Sequence, residues 1–272
     1  MPEGHTIHRA ARDQTRALAG RPVRVSSPQG RFALGAEALD GRVLERVEAL
    51  GKHLFWWFED ARVVHVHLGL FGRFRLARGA EPPPPRGVVR ARLTTAPAAG
   101  DASATLDLIG PTDCSVIDPG QRDAIAARLG PDPLRRDADP ARFDARVARS
   151  ARPIGDLLLD QAVLAGVGNV YRAEALFVLG IDPSRPGKAL APAERAALWD
   201  VLAAMLARGV ADGRIITVEP REVGRRSRRT VLRREATYVY GRERCLRCDR
   251  EIARVALGGR PCAFCPGCQA AG

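Results

Sequence analysis

Five of the six cysteines in this chain crowd its C-terminus: Cys245, Cys248, Cys262, Cys265 and Cys268. The pair Cys245-x2-Cys248, then sixteen residues, then Cys265-x2-Cys268 fits a four-cysteine zinc pattern. Two such knuckles place four thiolates at the corners of a tetrahedron and fold the residues between them into a short hairpin. A unit this small cannot bury enough apolar surface to hold itself, so one structural Zn2+ ion supplies the cohesion. Cys262 forms an alternative CxxC with Cys265, so spacing alone leaves the ligand set open. Gly258-Gly-Arg-Pro261 falls at the hairpin tip, where two glycines make a tight turn and Arg260 projects outward. Cys114, far from the cluster, reads as a buried apolar residue.

The rest of the chain changes character twice. Residues 5–19 read as a helix: Thr6 can cap it, Ile7, Ala11 and Leu18 repeat at helical spacing, and Gly20 stops it. From Val23 to about Leu108 short β-type runs follow, at 43–47, 53–58, 62–68, 72–76, 88–95 and 104–109, the signature of a sandwich or barrel. Glu81-Pro-Pro-Pro-Pro-Arg86 interrupts them as an exposed loop, because proline cannot donate to a sheet ladder. Gly130-Pro-Asp-Pro-Leu134 looks like a domain junction. Beyond it the signals are helical, over Pro140 to Val147, Pro153 to Leu159, Asn169 to Leu179 and Pro192 to Ala211, with proline or asparagine near each start. There is no internal repeat and no heptad pattern.

A net charge of +12 and a pI near 10.5 favour a polyanionic partner. No apolar run reaches the roughly 18 residues that cross a bilayer, and the N-terminus lacks the apolar core of a signal peptide, so a cytoplasmic location is expected. In such a compartment disulfides are disfavoured. Positive charge is carried almost wholly by arginine. Lys52 and Lys188 are the two lysines, and Lys52 stands at a glycine turn, Gly51-Lys52-His53, before an apolar strand. Gly166-Val-Gly-Asn169 opens a helix with Asn169 as its cap, and such a helix start can hold one backbone phosphate. Arg221, Arg225, Arg226, Arg228, Arg229, Arg233 and Arg234 form a basic run that reads either as a solvated face or as a track for phosphate. His65 and His67 share one face of a strand and could bind metal, but no carboxylate lies at ligand spacing, which favours a structural or lining role. His5 and His8 read the same way.

The N-terminus itself, Met-Pro-Glu-Gly, is an ordinary start unless Met1 is removed. Removal makes Pro2 a secondary amine beside Glu3, with an α-amino pKa near ~7.7–8.0, nucleophilic at neutral pH and able to form an imine with a sugar C1′.

Taken together, these motifs resemble the formamidopyrimidine-DNA glycosylase/endonuclease VIII family of base-excision repair enzymes, over nearly the whole chain. Pro2-Glu3-Gly4 looks like the family's catalytic N-terminus and Gly51-Lys52 like its hairpin lysine. Gln161 to Phe177 resembles its helix–two-turn–helix signature, and Cys245 to Gln269 its zinc finger. The resemblance implies an α+β fold: an N-terminal helix with a two-layered β-sandwich, then a helical helix–two-turn–helix domain ending in a four-cysteine zinc β-hairpin. The implied boundaries are 1–118 for the catalytic domain, 119–134 for a linker, 135–220 for the helix–two-turn–helix domain, 221–240 for the basic loop region and 241–272 for the zinc finger.

The resemblance also implies the chemistry. Pro2 attacks C1′ and Glu3 moves protons, while Lys52, Asn169 and Arg260 grip phosphates around a flipped nucleotide. Cys245, Cys248, Cys265 and Cys268 hold the zinc. Leu70 and Phe71, in His67-Leu-Gly-Leu-Phe-Gly72, match the wedge that fills the vacated space, and Leu-Phe is closer to the endonuclease VIII branch, which favours oxidised pyrimidines. Gly69 departs from the wedge glutamine of some members, and Thr6 from a proton-relaying glutamate. The expected partner is double-stranded DNA with damaged bases or abasic sites. The enzyme is expected to be monomeric, without membrane contact, and cytoplasmic at the nucleoid. Three rival readings are a non-catalytic zinc-dependent DNA-binding protein, a ribosome-associated zinc ribbon, and a metal-dependent hydrolase using His65 and His67.

Overall fold

The alternation written into residues 53–67 sets the architecture of the first part of the chain. In the computed structural model, which describes residues 2–96 and 102–269, Leu54, Trp56 and Phe58 of one strand and Val64 and Val66 of the next point into a single core. The chain divides into two compact units between Arg128 and Leu129, with Gly4–Thr6 grouped with the second.

The first unit holds most of α1 (Gly4–Leu18), then β1 (Arg21–Ser26), α2 (Ala33–Leu39), β2 (Val43–Leu50), β3 (His53–Phe58), β4 (Arg62–His67), β5 (Arg73–Gly79), β6 (Val89–Thr95), β7 (Ser103–Ile109), β8 (Asp113–Ile117) and α3 (Pro119–Ala127). The strands pair antiparallel in the order β5-β7-β6-β1-β2-β3-β4-β8. Strand β1 explains how one continuous ladder makes two layers. Its first residues, Arg21 and Pro22, pair with β2, and Val23 to Ser26 pair with β6. A strand that changes partner along its length turns the sheet onto itself. The inner faces of the two halves then share one apolar cluster, to which α1 adds Ile7, Ala11 and Leu18. Trp56 is fully buried, and its indole N–H donates to Gln14 Oε1 of α1 at 2.7 Å, which satisfies the indole in the core.

The runs read as strands are strands. Helix α2, strand β8 and helix α3 were not among the expected elements; α3 occupies Pro119–Ala127 with a complete Asp118/Gln121 capping box. Thr6 does not cap α1. The helix starts at Gly4, one residue before the expected start, with Glu3 at the N-cap position, and Thr6 lies in the first turn with its hydroxyl 3.3 Å from His5 Nε2.

The second unit contains α4 (Pro140–Ala148), α5 (Ile154–Leu159), α6 (Asn169–Val178), α7 (Pro192–Asp212), several short 3-10 turns, and the hairpin β9 (Ala253–Leu257) and β10 (Arg260–Phe264). Helices α4 to α7 bury Phe143, Leu158, Tyr171, Leu176, Leu198 and Leu206 in one cluster. Between α5 and α6, Gln161 holds the two turns: its amide donates to the Leu159 and Val167 carbonyls, both at 2.9 Å, and accepts from Gly166 N–H at 3.0 Å. Gly4 N–H donates to Gly166 O at 2.8 Å, and a Cβ on Gly4 would lie 2.9 Å from Gly166 Cα, so only glycine permits this approach. The arginine run is folded rather than trailing. Arg225 pairs with Glu235, and Arg228 with Asp212 and the Ile216 carbonyl. Among the described residues no helix is long and apolar enough to cross a membrane.

Candidate active site and nucleic-acid interface

Pro2 is half-buried at the head of α1, and Glu3, the N-cap residue, is fully buried. A carboxylate at a helix N-terminus lies where the backbone dipoles favour its charge. Met1 lies outside the described residues. His5, next in line, packs edge-on to Tyr171 at 5.3 Å between ring centroids, and burial pushes its pKa down to about 4. It is a neutral packing residue, as its position on the helix suggested.

Lys52 occupies the two-residue turn between Leu50 and His53, which face each other across β2 and β3, and Gly51 supplies the positive φ of 58° that the turn needs. Leu70 and Phe71 form the tip between β4 and β5, 47% and 84% exposed. The tip is closed by Gly72 N–H donating to Leu68 O at 3.0 Å. Gly69 has φ +64°, and a Cβ there would fall 1.9 Å from Thr112 Oγ1. The absence of a glutamine at 69 therefore has a local cause: Thr112 occupies the space a side chain would need.

In the second unit Asn169 is the first residue of α6 rather than its cap; Gly168 takes the N-cap position. The Asn169 side chain is drawn inward instead. Its Nδ2 donates to Pro261 O at 3.0 Å, and its Oδ1 accepts from Arg172. Arg172 is fully buried and donates further to the carbonyls of Gly155 and Leu257, each at 3.0 Å, and of Arg260 at 3.3 Å. One guanidinium thus binds α5, α6 and the hairpin tip. The tip is a two-residue turn with Gly258 at φ +60° and Gly259 at +70°, and half-buried Arg260 follows it. Two residues further along α6, fully buried Glu174 accepts three successive backbone N–H groups, from Tyr238 at 2.7 Å, Val239 at 2.9 Å and Tyr240 at 2.8 Å, and the Thr217 hydroxyl. Neither Arg172 nor Glu174 stands out in the sequence reading. The available signal was two charged residues inside an otherwise apolar helix.

The hairpin packs Leu257, Cys262 and Ala263 with Ala173 and Phe177 of α6, so burial assists its cohesion. Cys245, Cys248, Cys265 and Cys268 converge, with all four sulfurs within 4.8 Å of one another. The contacts Cys248–Cys265 at 3.3 Å and Cys245–Cys268 at 3.9 Å bracket the edge of about 3.8 Å of a tetrahedron with Zn–S bonds of about 2.3 Å. The donor set fits a four-thiolate metal site. Cys262 is excluded from it: the side chain is fully buried beside Ala263 O, and burial raises its pKa. Among the described residues no other group of three or more ligand atoms converges, so His65 and His67 have no metal-binding set. His65 does have a carboxylate partner, Asp113, contributed by β8.

Comparison with known proteins places this arrangement. Residues 1–108 match the formamidopyrimidine-DNA glycosylase N-terminal domain, and residues 129–220 match the formamidopyrimidine-DNA glycosylase H2TH domain. The chain is 49% identical to endonuclease 8 1 of Mycobacterium tuberculosis, over 99% of this chain and 100% of the relative. It belongs to the formamidopyrimidine-DNA glycosylase/endonuclease VIII family of DNA glycosylases and AP lyases. A probable endonuclease 8 2 of Streptomyces coelicolor is 36% identical, over 99% of this chain and 94% of that protein. Among solved structures, Lactococcus lactis Fpg (MutM) in complex with DNA containing N7-benzyl-Fapy-dG covers 99% of this chain and 100% of its own, with a TM-score of 0.76 and 22% identity. That likeness is one of fold.

Proposed function

We propose that this family member excises oxidised bases, pyrimidines in preference to purines, from double-stranded DNA, and cuts the strand by β- then δ-elimination through a Schiff base on Pro2. The observation that carries the reading is the head of α1, where Pro2 directly precedes a buried N-cap carboxylate, Glu3. With Met1 removed, Pro2 N attacks C1′ of a nucleotide flipped from the stack. The N–C1′ bond forms as the glycosidic bond breaks, and the base leaves with a proton delivered through Glu3. With threonine at position 6, Glu3 carries the proton traffic that other members share with a glutamate. Opening of the sugar ring gives an iminium ion between Pro2 N and C1′, with no proton on nitrogen because the amine is secondary. Loss of a C2′ proton then breaks C3′–O, and a further elimination breaks C5′–O. Attack of water on the iminium carbon releases the sugar fragment as the aldehyde and restores the amine.

Lys52, Asn169 and Arg260 hold phosphates around the lesion, and Leu70 and Phe71 fill the vacated stack, a role supported by the high exposure of Phe71. Cys245, Cys248, Cys265 and Cys268 hold a structural zinc, which supplies cohesion to the hairpin that carries Arg260. The enzyme works as a monomer. Leu70–Phe71 and the relatives named endonuclease 8 support the preference for pyrimidines. Single-turnover assays on duplexes carrying 5-hydroxyuracil or an oxidised purine test it. The expected result is faster release of 5-hydroxyuracil and a gap with phosphate on both ends. Faster release of the purine refutes the preference, and a product ending in an unsaturated aldehyde refutes the second elimination.

A further inference from the structure

The first N–H groups of a helix have no acceptor within it. In α1 the first of them, on Gly4, donates to Gly166 O at 2.8 Å, and Gly4 groups with the second unit. Glu3, covalently next, has extended backbone at φ −124° and ψ −179°. Pro2 N therefore lies no more than about 7 Å from Gly4 N. Whatever fixes the Gly166 carbonyl fixes the seat of α1 at the residue beside Glu3.

Gly166 does not fix that carbonyl by itself. Its φ is +92°, and a glycine leaves its peptide unit easy to turn. One side chain holds it from both sides. Gln161 Oε1 accepts from Gly166 N–H at 3.0 Å, which sets the peptide unit before the 166–167 unit. Gln161 Nε2 donates to Val167 O at 2.9 Å, which sets the unit after it. The second amide hydrogen goes to Leu159 O, also at 2.9 Å, at the end of α5. A side-chain amide has two donor hydrogens and one acceptor oxygen, so the oxygen must face the N–H and the nitrogen the two carbonyls. The neighbouring bonds serve other residues. Asp160 Oδ1 accepts from Ala162 N–H at 3.0 Å, Asp160 O accepts from Val163 and Leu164, and Ala165 N–H donates to Pro131 O.

We propose that Gln161 is a positioning residue for the Pro2 amine: by pinning the peptide units on both sides of the Gly166 carbonyl, it fixes the point on which the first N–H of α1 docks, and with it the place of Pro2 and Glu3. This rests on the reading of Pro2 as the nucleophile. Gly4 completes the seat, since a Cβ there would lie 2.9 Å from Gly166 Cα and 3.1 Å from Gly166 O. In Gln161→Met the side chain keeps its length and loses all three bonds, which leaves the 166–167 unit free to turn. An error of about 1 Å at Gly4 passes to an amine two residues away, and a misplacement of that size costs up to about a hundredfold in rate.

Single-turnover borohydride trapping on saturating abasic-site duplex reads rate and final yield separately. For Gln161→Met we expect a rate about tenfold lower at undiminished yield. Its dissociation constant for a tetrahydrofuran-containing duplex, which cannot form the adduct, should stay within about twofold of the unaltered enzyme's. A lower yield at an unchanged rate is what a merely destabilised fold gives, and it overturns the proposal. Weaker binding of the tetrahydrofuran duplex with an unchanged rate at saturation also overturns it, because the turn would then serve Asn169 at the start of α6 rather than the amine. Gly4→Ala disturbs the same contact from the helix side, so the double variant should be no slower than the slower single variant; additive losses count against a shared contact and overturn the proposal. Should Gln161→Met fold poorly, Gln161→Glu keeps the shape and the acceptor for Gly166 N–H but turns an oxygen toward the Leu159 and Val167 carbonyls, and it must slow trapping in the same way. Mapping the cross-link separates the two levels. If the cross-linked peptide of the unaltered enzyme does not begin at Pro2, the reading of Pro2 fails and takes the role of Gln161 with it; if it does and Gln161→Met traps at the normal rate, the positioning role alone fails.

Discussion

Gly69 shows how one backbone angle decides what the exposed tip between β4 and β5 can carry. Its φ of +64° is costly for any side chain, and Thr112 Oγ1 stands where a Cβ would go. Gly69→Gln is therefore expected to lower stability by roughly 1–3 kcal/mol, with the Thr112→Gly background recovering part of the loss. Thermal melts of the two single variants and the double variant check this, and additive losses would contradict it. Arg172 carries a larger stake. It meets Asn169 and the carbonyls of Gly155, Leu257 and Arg260 in a fully buried position. Arg172→Met leaves those acceptors without a donor and is expected to cost about 3–5 kcal/mol. It should also weaken DNA binding, because Asn169 loses the contact that orients its amide. Denaturant unfolding and a binding titration measure the two effects separately.

At the scale of elements, α6 is the frame of the second unit. Asn169 and Arg172 at its start reach the hairpin tip, Glu174 anchors residues 238–240, and Phe177 stacks on Tyr238 at 5.0 Å between ring centroids. The four-cysteine hairpin is thus tied to α6 by hydrogen bonds and by its own apolar cluster. Removal of the metal by a strong chelator should release one zinc per chain, loosen the loops around Cys245 to Cys268 and let trypsin cut the backbone at the already exposed Arg250 and Arg254, while α6 keeps its protection from hydrogen exchange. Loss of protection across the whole of α6 would show that the helix depends on the metal. The elements legible in the sequence were those with a strong local period. Strands β2 to β7 are short runs rich in β-branched and aromatic residues bounded by turn residues, and helices α4, α6 and α7 were found to within about two residues, the usual uncertainty of helix ends. Helix α2 has only Ala36 and Leu39 buried, and β8 has no fully buried residue, so neither carries a readable pattern. The partnership of His65 with Asp113 depends on pairing between β4 and β8, which no spacing rule could reveal. The caps assigned to Thr6 and Asn169 failed because each helix starts earlier than expected: Thr6 and Asn169 lie in the first turns of α1 and α6, and Glu3 and Gly168 take the cap positions.

For the molecule as a whole, charge and titration set the expected solution behaviour. His5 and His53 titrate near 6.5 in the unfolded chain and are pushed down to about 4 and about 3 in the fold, chiefly by burial. The unfolded chain therefore binds more protons below pH ~6.5, so stability falls as the pH is lowered through that value and continues to fall toward the folded values. Each unit of depression corresponds to about 1.4 kcal/mol, and thermal melts between pH 7 and 4 should show the decline, made shallower by His5→Phe. With a net charge of +12, DNA affinity should fall steeply with salt, and Arg260→Ala should reduce the log–log slope by about 1. If the Pro2 amine performs the chemistry, borohydride reduces its adduct with the sugar to a stable covalent bond. The Met1-processed enzyme, mixed with abasic-site DNA and borohydride, should give a covalent complex whose cross-linked peptide begins at Pro2. Pro2→Gly should trap far less, and a chain that keeps Met1 should bind the DNA without forming the adduct. A cross-link on another residue, or equal trapping by the chain that keeps Met1, would show that the nucleophile is not the Pro2 amine.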